Sequence, residues 1–384
     1  MTGHRTVTLR ASGVRSIVGD HPQALLGSVM SHMVAPSAGE AFCLADQDGN
    51  TVEPLVWPAD DLDADKVDDP ALLPPGALSL EARLANLLAD ALTQTLAGLA
   101  AQQITPEHLL LCLPATHTDN ADICRRLRER MPALQSLPIT QCHAGHLGDA
   151  LQTLWAQLAL PGADNPLHCA LFAGADSALD MAILEQRLAD GNLRTRTDSH
   201  GRAGGEAAAC VALVADAASP QQSAGHLDLA LNLALGAEPL HRDLEAGTPT
   251  GLAKTAETAL NQGSLPAADL QTVVLARAET AADEFEWYQT RKTLWPVRLD
   301  EPQRKAMRRG ELQAPRPEPS PAVETLRPAL AVGDTGGASL PLALALAWAR
   351  FDFFYQQVNN CLVLYSPDGE TRLALLLQRK RQGA

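Results

Sequence analysis

The chain has 384 residues, with 45 acidic against 30 basic side chains and a formal charge of −15. That length can bury a large core, as one big domain or two of ordinary size. The negative balance excludes nucleic acid and anionic membrane as main partners, since both require a basic surface.

In chain order, "MTGHRTVTLRASG" lacks an apolar run, so no secretory leader is expected. Nowhere does the sequence approach the roughly 18–20 uninterrupted apolar residues of a membrane span. Residues 58–76, acidic and rich in proline, read as a surface loop. "SLEARLANLLADALTQTLAGLAAQ" then has the period of a helix, and "EHLLLCLPA" reads as a strand buried on both faces. In "PITQCHAGHLGDALQTLW", residues 138–155, Cys142 separates a Pro-led apolar segment from a helical run. "HCALFAGADS" and "AAACVALVA" follow as strands, "GLAKTAETALNQG" as a helix and "LQTVVLAR" as a strand. Residues 300–328 mix charge with proline and read as a long excursion or flexible insert. "ASLPLALALAWARF" is a helix, and "NNCLVLYS" and "TRLALLLQR" form a hairpin across the turn "PDGE". The basic end, Arg379 to Arg381, reads as a solvated tail. Strands alternating with helices predict an α/β fold with a mostly parallel sheet.

Seven scattered cysteines in apolar contexts, with no CxxC pair, read as reduced thiols of a cytoplasmic protein. A faint internal repeat is also present. The interval from Cys142 to the strand at Cys169 equals that from Asp334 to the strand at Cys361, and each interval begins at a helix start. This predicts two related halves, residues 1–225 and 226–384.

These segments resemble the β-ketoacyl synthases of the thiolase-like superfamily. Gly174, Asp176 and Ser177 match the family's Gly-Gly-x-Asp-Ser-like turn, and Gly205, Glu206, Ala207 and Ala208 its Gly-Glu-Gly-Ala-Ala-like strand. "ITQCHAG" is similar to the family's nucleophile turn, with Cys142 at the cysteine. "VGDTGGASLPLALALA" falls where the family has Gly-His-Thr-x-Gly-Ala-Ala. The resemblance implies a five-layered αβαβα fold of two pseudo-symmetric halves, with the two opening helices buried at the centre. It also implies a homodimer, or a heterodimer with another thiolase-like protein, formed through the strand near Cys112 and the segment before Cys142.

Family chemistry needs a cysteine thiolate to accept the acyl group and two second-half histidines to support decarboxylation. The thiolate requires a helix terminus or a cation to lower its pKa, and the developing oxyanion requires preorganised donors. Here the second histidine falls on Asp334, and the first near Leu275 to Arg277; no histidine follows His241 anywhere. An anion at Asp334 repels an enolate, so ordinary condensation is not expected.

Several readings stay open on the residues alone. Cys142 is either a nucleophile served by His143 or His146, the latter on the same helical face at i+4, or a small packed residue at an inherited turn. Cys142, His143, His146, His168 and Cys169 lack a second close-spaced pair, so no metal and no cofactor is expected. Asp334, Thr335, Gly336 and Gly337 form either an anion-binding nest or an N-cap with glycines for close packing. Glu206 reads as a buried carboxylate bracing loops. Trp287, Tyr288 and Trp295 form either a partner contact or packing beneath the Pro-rich insert.

For function, the expectation is a catalytically degenerate synthase-like protein acting as a scaffold, binding or accessory factor. "GDTGGAS" with "AADEFEWYQTR" resembles a divergent bacterial group whose genes often sit beside type VI secretion effector and adaptor genes. The alternatives are a residual acyltransferase or thioesterase using Cys142, and a non-catalytic partner subunit of an active synthase.

Overall fold

The computed structural model describes residues 6–379 except 32–36, 39–42, 47, 58–78, 116–118, 161–165, 180, 199–200, 217–230, 240–241, 244–247, 250, 278–279, 298, 312, 314–321, 354–355 and 368–370. The acidic segment 58–76 and the boundary expected near 225 lie outside the described residues.

Ten strands make the path of one large sheet: β1 (Thr6–Ser16), β2 (His108–Cys112), β3 (Ile139–Cys142), β4 (Cys169–Ser177), β5 (Gly204–Asp216), β6 (Leu231–Pro239), β7 (Thr272–Leu275), β8 (Glu324–Leu326), β9 (Asn360–Tyr365) and β10 (Thr371–Arg379). Their order is β8-β7-β9-β10-β6-β1-β5-β4-β2-β3. The order is a palindrome about the β6–β1 pair: β2 to β5 on one side are matched by β7 to β10 on the other. Directions match as well, with β3, β2 and β4 parallel in one half and β8, β7 and β9 parallel in the other. The remaining neighbours are antiparallel, so the sheet is mixed. The mostly parallel sheet expected from strand–helix alternation is corrected by β1, β5, β6 and β10, which run against their neighbours.

The described helices of the two halves are α1 (Leu80–Ala101), α2 (Asn120–Arg130), α3 (Leu147–Ala159), α4 (Met181–Ala189), α5 (Gly251–Gln262), α6 (Ala281–Leu294) and α7 (Ser339–Asp352). Side-chain alternation along the strands sorts them into layers. In β5, Ala207, Ala209, Val211 and Leu213 join a central core with α3 and α7, while Ala208, Cys210 and Ala212 join an outer core with α1 and α2. In β9 and β10, Cys361, Val363, Leu373 and Leu375 face the same central core, and Leu362, Leu364 and Leu376 face a second outer core with α5 and α6. The result is helices, sheet, helices, sheet, helices: the thiolase-like five-layered fold.

The central helices differ in pattern. Apolar residues surround α7 almost completely, from Leu340 to Phe351, as a helix enclosed by two sheets requires. By contrast, α3 buries Leu147, Leu151, Leu154 and Leu158 on one stripe and exposes Asp149, Gln152 and Thr153. The expected full burial of both opening helices therefore holds only for α7. The Pro-rich segment also carries more structure than a flexible insert. Glu301–Arg308 is helical behind a reciprocal Asp300–Gln303 capping box, and Glu324–Leu326 supplies the edge strand β8.

Candidate functional site

Cys142 is the last residue of β3, directly in register with Cys112 of β2, which is in turn in register with Gly174 of β4. Cys142 is half-buried and Cys112 fully buried, and their thiols hydrogen-bond each other. The hydrogen bond from Cys112 lowers the Cys142 pKa, against a smaller upward push from burial. Cys112 is driven well above the ordinary thiol range by that same bond, by burial and by its two neighbours Cys142 and Asp176.

His143 and His146 lie in the turn that follows. Residues Ala144–His146 form one 3-10 turn before α3 begins at Leu147. Because Cys142 sits on a strand and not on the helix, the expected i+4 face shared with His146 is not formed. Instead the two imidazoles pack on each other, with ring centroids 4.1 Å apart. Among the described residues neither ring hydrogen-bonds the Cys142 thiol. His168 and Cys169 lie at the far end of the strands. Cys142 aligns with Gly174, five residues along β4 from Cys169, or about 16 Å at 3.3 Å per residue. Among the described residues no three His, Cys, Asp or Glu side chains converge on a metal position.

At the start of α7, the "GDTGG" segment passes against β4 and β5. The Asp334 N–H donates to the Ala203 carbonyl, and the Gly205 N–H donates to the Asp334 carbonyl at 3.2 Å. The Asp334 side chain is 3% exposed and surrounded by guanidinium groups. Arg187 of α4 reaches its Oδ2 at 2.9 Å, and Arg202 and Arg277 each at 3.5 Å. Burial pushes this carboxyl up, but Arg277, Arg187 and the Gly336 N–H outweigh it, and the pKa stays below the usual carboxylate value. Arg202 also approaches Asp283 at 3.9 Å.

The glycines of this segment form a nest of N–H donors, and protein carboxylates fill it. Gly336 N–H donates to Asp334 Oδ1 at 3.2 Å, and Gly337 N–H donates to Asp176 Oδ2 at 2.8 Å. Asp334 thus serves as neither a free anion receptor nor the N-cap of α7, whose first turn begins beyond it. Asp176 is fully enclosed; burial raises its pKa, and nearby Asp334 adds to the rise. Gly336 is obligatory here: its φ is +40°, and a Cβ would lie 2.0 Å from Asp176 Oδ2. Thr335 is buried with its hydroxyl 3.3 Å from that of Ser339.

Arg202, Arg277, Asp283, Asp334 and Ser339 line a cleft of about 180 Å³. That is below the ~300 Å³ at which small-molecule pockets begin. Glu206, wholly buried, takes a two-pronged ion pair from Arg83, at 2.9 Å from Nε and 2.6 Å from Nη2. The expected bracing role is met, but the group braced is the first turn of α1. The aromatic cluster divides: Trp287 and Trp295 pack edge to face inside an outer core, while Tyr288 is exposed.

Sequence reasoning placed Asp334 and the segment ending at Arg277 at one site but missed Arg187, Arg202, Asp176 and the partnership of Cys112 with Cys142. A signal for two of these was available: Arg187 and Arg202 flank the two family-like motifs, in "EQRLADG" and "GRAGGEAA".

No protein-family model matches the chain, and no curated protein matches it either. Solved structures do. An ishigamide ketosynthase/chain length factor aligns at a TM-score of 0.61 and 14% identity, covering 98% of this chain and 100% of its own. A ketosynthase bound to the hexaketide, in complex with its type II PKS acyl-carrier protein, aligns at 0.65 and 10%, covering 98% and 99%. An oxazolomycin ketosynthase domain from Streptomyces albus aligns at 0.67 and 10%, covering 99% and 75%. At these identities the likeness establishes the fold, which is that of ketosynthases and chain length factors.

Proposed function

We propose that this chain is a non-condensing member of the ketosynthase-like fold, acting through protein contacts as a scaffold or accessory subunit. The observation that carries this reading is the arginine-caged Asp334. The resemblance places the two family histidines at Asp334 and near Arg277, and those two side chains are ion-paired with each other. Donors that would stabilise a developing oxyanion are directed at a resident carboxylate instead. Neighbouring N–H groups are likewise engaged by Asp176 and Asp334.

The contact surface we assign is the edge of the sheet at β3. This strand pairs only with β2 among the described residues, and Thr140 and Gln141 are exposed. An open strand edge is a ready template for pairing with another chain. Continuation of the sheet into a second thiolase-like chain, identical or not, follows. The fold shared with a ketosynthase/chain length factor supports this reading. The more specific role, assistance to type VI secretion effectors in the cytoplasm, rests on the resemblance of "GDTGGAS" and "AADEFEWYQTR". All seven cysteines are free thiols, and no helix among the described residues is long and apolar enough to cross a membrane.

The test is capture of the adjacent effector or adaptor product by the purified chain. Wild type and Cys142→Ala retain it equally if the role is scaffolding; loss of capture in Cys142→Ala alone contradicts that role. A second reading, residual acyl transfer at Cys142, has one observation behind it: the Cys112 thiol lowers the Cys142 pKa. It lacks a base, because the described imidazoles pair with each other and not with the thiol.

A further inference from the structure

We propose that Cys112 and Cys142 are a reversible dithiol–disulfide pair, with Cys142 the peroxide-reactive thiol and Cys112 the thiol that resolves it. The inference does not depend on the scaffold reading; it rests on strand geometry. The two cysteines are direct register partners on neighbouring parallel strands. Adjacent strands lie about 4.8 Å apart, and disulfides span Cα separations of roughly 4.4–6.8 Å. Both side chains point to the same face: Cys112 belongs to the central core and Cys142 packs against it. Cys142 ends an edge strand, so its sulfur can move the few tenths of an ångström that bridging requires without straining a second neighbour.

The two thiols have complementary roles. Cys142 is half-buried and accepts the Cys112 hydrogen bond, which favours its thiolate. Cys112 is wholly buried and reaches solvent chemistry only through Cys142. The other cysteines supply the contrast. Cys124 lies on the opposite face of the sheet, where it accepts a hydrogen bond from Gln141 Nε2 at 3.2 Å. Burial pushes Cys169 and Cys210 up to about 12, and neither is in register with a cysteine. Spatial closeness, side-chain direction and access coincide at Cys112 and Cys142.

The reaction balances with hydrogen peroxide as oxidant. The Cys142 thiolate attacks one peroxide oxygen, the O–O bond breaks, and the released hydroxide takes a proton to become water, leaving a sulfenic acid. The Cys112 sulfur then attacks the Cys142 sulfur. The S–S bond forms, the S–O bond breaks, and the departing hydroxide takes the Cys112 proton to leave as a second water. Two thiols are oxidised, one peroxide is reduced to two waters, and an external dithiol reverses the change. The bridge removes the one half-buried thiol at this turn and ties the exposed edge strand to its neighbour.

The experiment uses the reduced full-length chain, exposed to hydrogen peroxide, quenched with an alkylating agent and mapped by peptide mass spectrometry. The expected result is joint loss of alkylation at Cys112 and Cys142 and a linked peptide pair within one chain, both reversed by dithiothreitol. In Cys112→Ser, Cys142 should accumulate as a sulfenic acid trapped by dimedone. Mapping of the wild type decides the matter even if that variant folds poorly. Three outcomes overturn the proposal: Cys142 oxidised to sulfinic acid while Cys112 still alkylates, a bridge between two chains, or no oxidation at either thiol.

Discussion

Asp334 concentrates the electrostatics of the molecule. Removing a carboxylate from water costs several kcal/mol. One guanidinium at 3.5 Å returns about 4–5 kcal/mol at an effective dielectric near 20, so three arginines exceed the cost. Asp334→Ala leaves those arginines around an empty position and is expected to lose about 3–5 kcal/mol in urea unfolding. The pH dependence of the two buried aspartates has opposite sign. Asp334 has a folded pKa below its unfolded value near 3.8, so its stabilisation is present above that pH and disappears as pH falls through the lower folded value. Asp176 has a raised folded pKa, so its contribution is complete below 3.8 and is lost as pH rises through the folded value. Asp176→Asn, which keeps an acceptor for the Gly337 N–H, should therefore raise the melting temperature at pH 7 more than at pH 4. An equal gain at both values would contradict the assignment.

At the scale of elements, close backbone approach fixes how α7 meets β4 and β5. A Cβ on Gly174 would stand 2.2 Å from the Gly337 carbonyl oxygen, and one on Gly205 would stand 2.2 Å from that of Val332. Gly174→Ala and Gly205→Ala should each cost about 1–3 kcal/mol or more, because the obstacle is backbone. Gly27→Ala, in the helix Pro22–Ser31 with nothing within 4 Å of the new Cβ, should instead gain about 0.5–1 kcal/mol. Denaturant midpoints of the three variants measure both signs.

The edge strand gives a third prediction. Pro138 and Cys142 turn their carbonyls toward β2, accepting from Leu109 and Leu113, so Gln141 turns its N–H outward by alternation along the parallel pair. Gln141→Pro should convert a dimer to monomer in sedimentation while leaving the fold intact. Retention of the dimer would move the interface elsewhere.

The helices and the strands carrying the family-like motifs were legible in the sequence. Continuous apolar runs marked β2, β4, β5 and β9, and the all-round apolar pattern of α7 matched an enclosed helix. Less legible were β1 and β6, the antiparallel pair joining the halves, because "TVTLRASGVRS" and "LNLALGAEP" break their apolar runs with polar and small residues. The Arg187–Arg202–Arg277 cage was hidden for a different reason. Its members come from α4, the loop before β5 and the end of β7, and only tertiary packing brings them to Asp334.

Over the whole molecule, the palindromic sheet explains the faint repeat between Cys142 and Asp334. Each residue stands just before the helix that opens the central layer of its half. In the first half the position keeps a thiol; in the second it carries a caged anion. Our central claim is that this pairing no longer performs acyl condensation. It is tested most directly by incubating the purified chain with malonyl- and acyl-loaded carrier protein and reading intact mass. The account predicts an unmodified chain and no released condensation product. Stoichiometric acylation at Cys142, abolished in Cys142→Ala and followed by a condensed acyl chain, would contradict it.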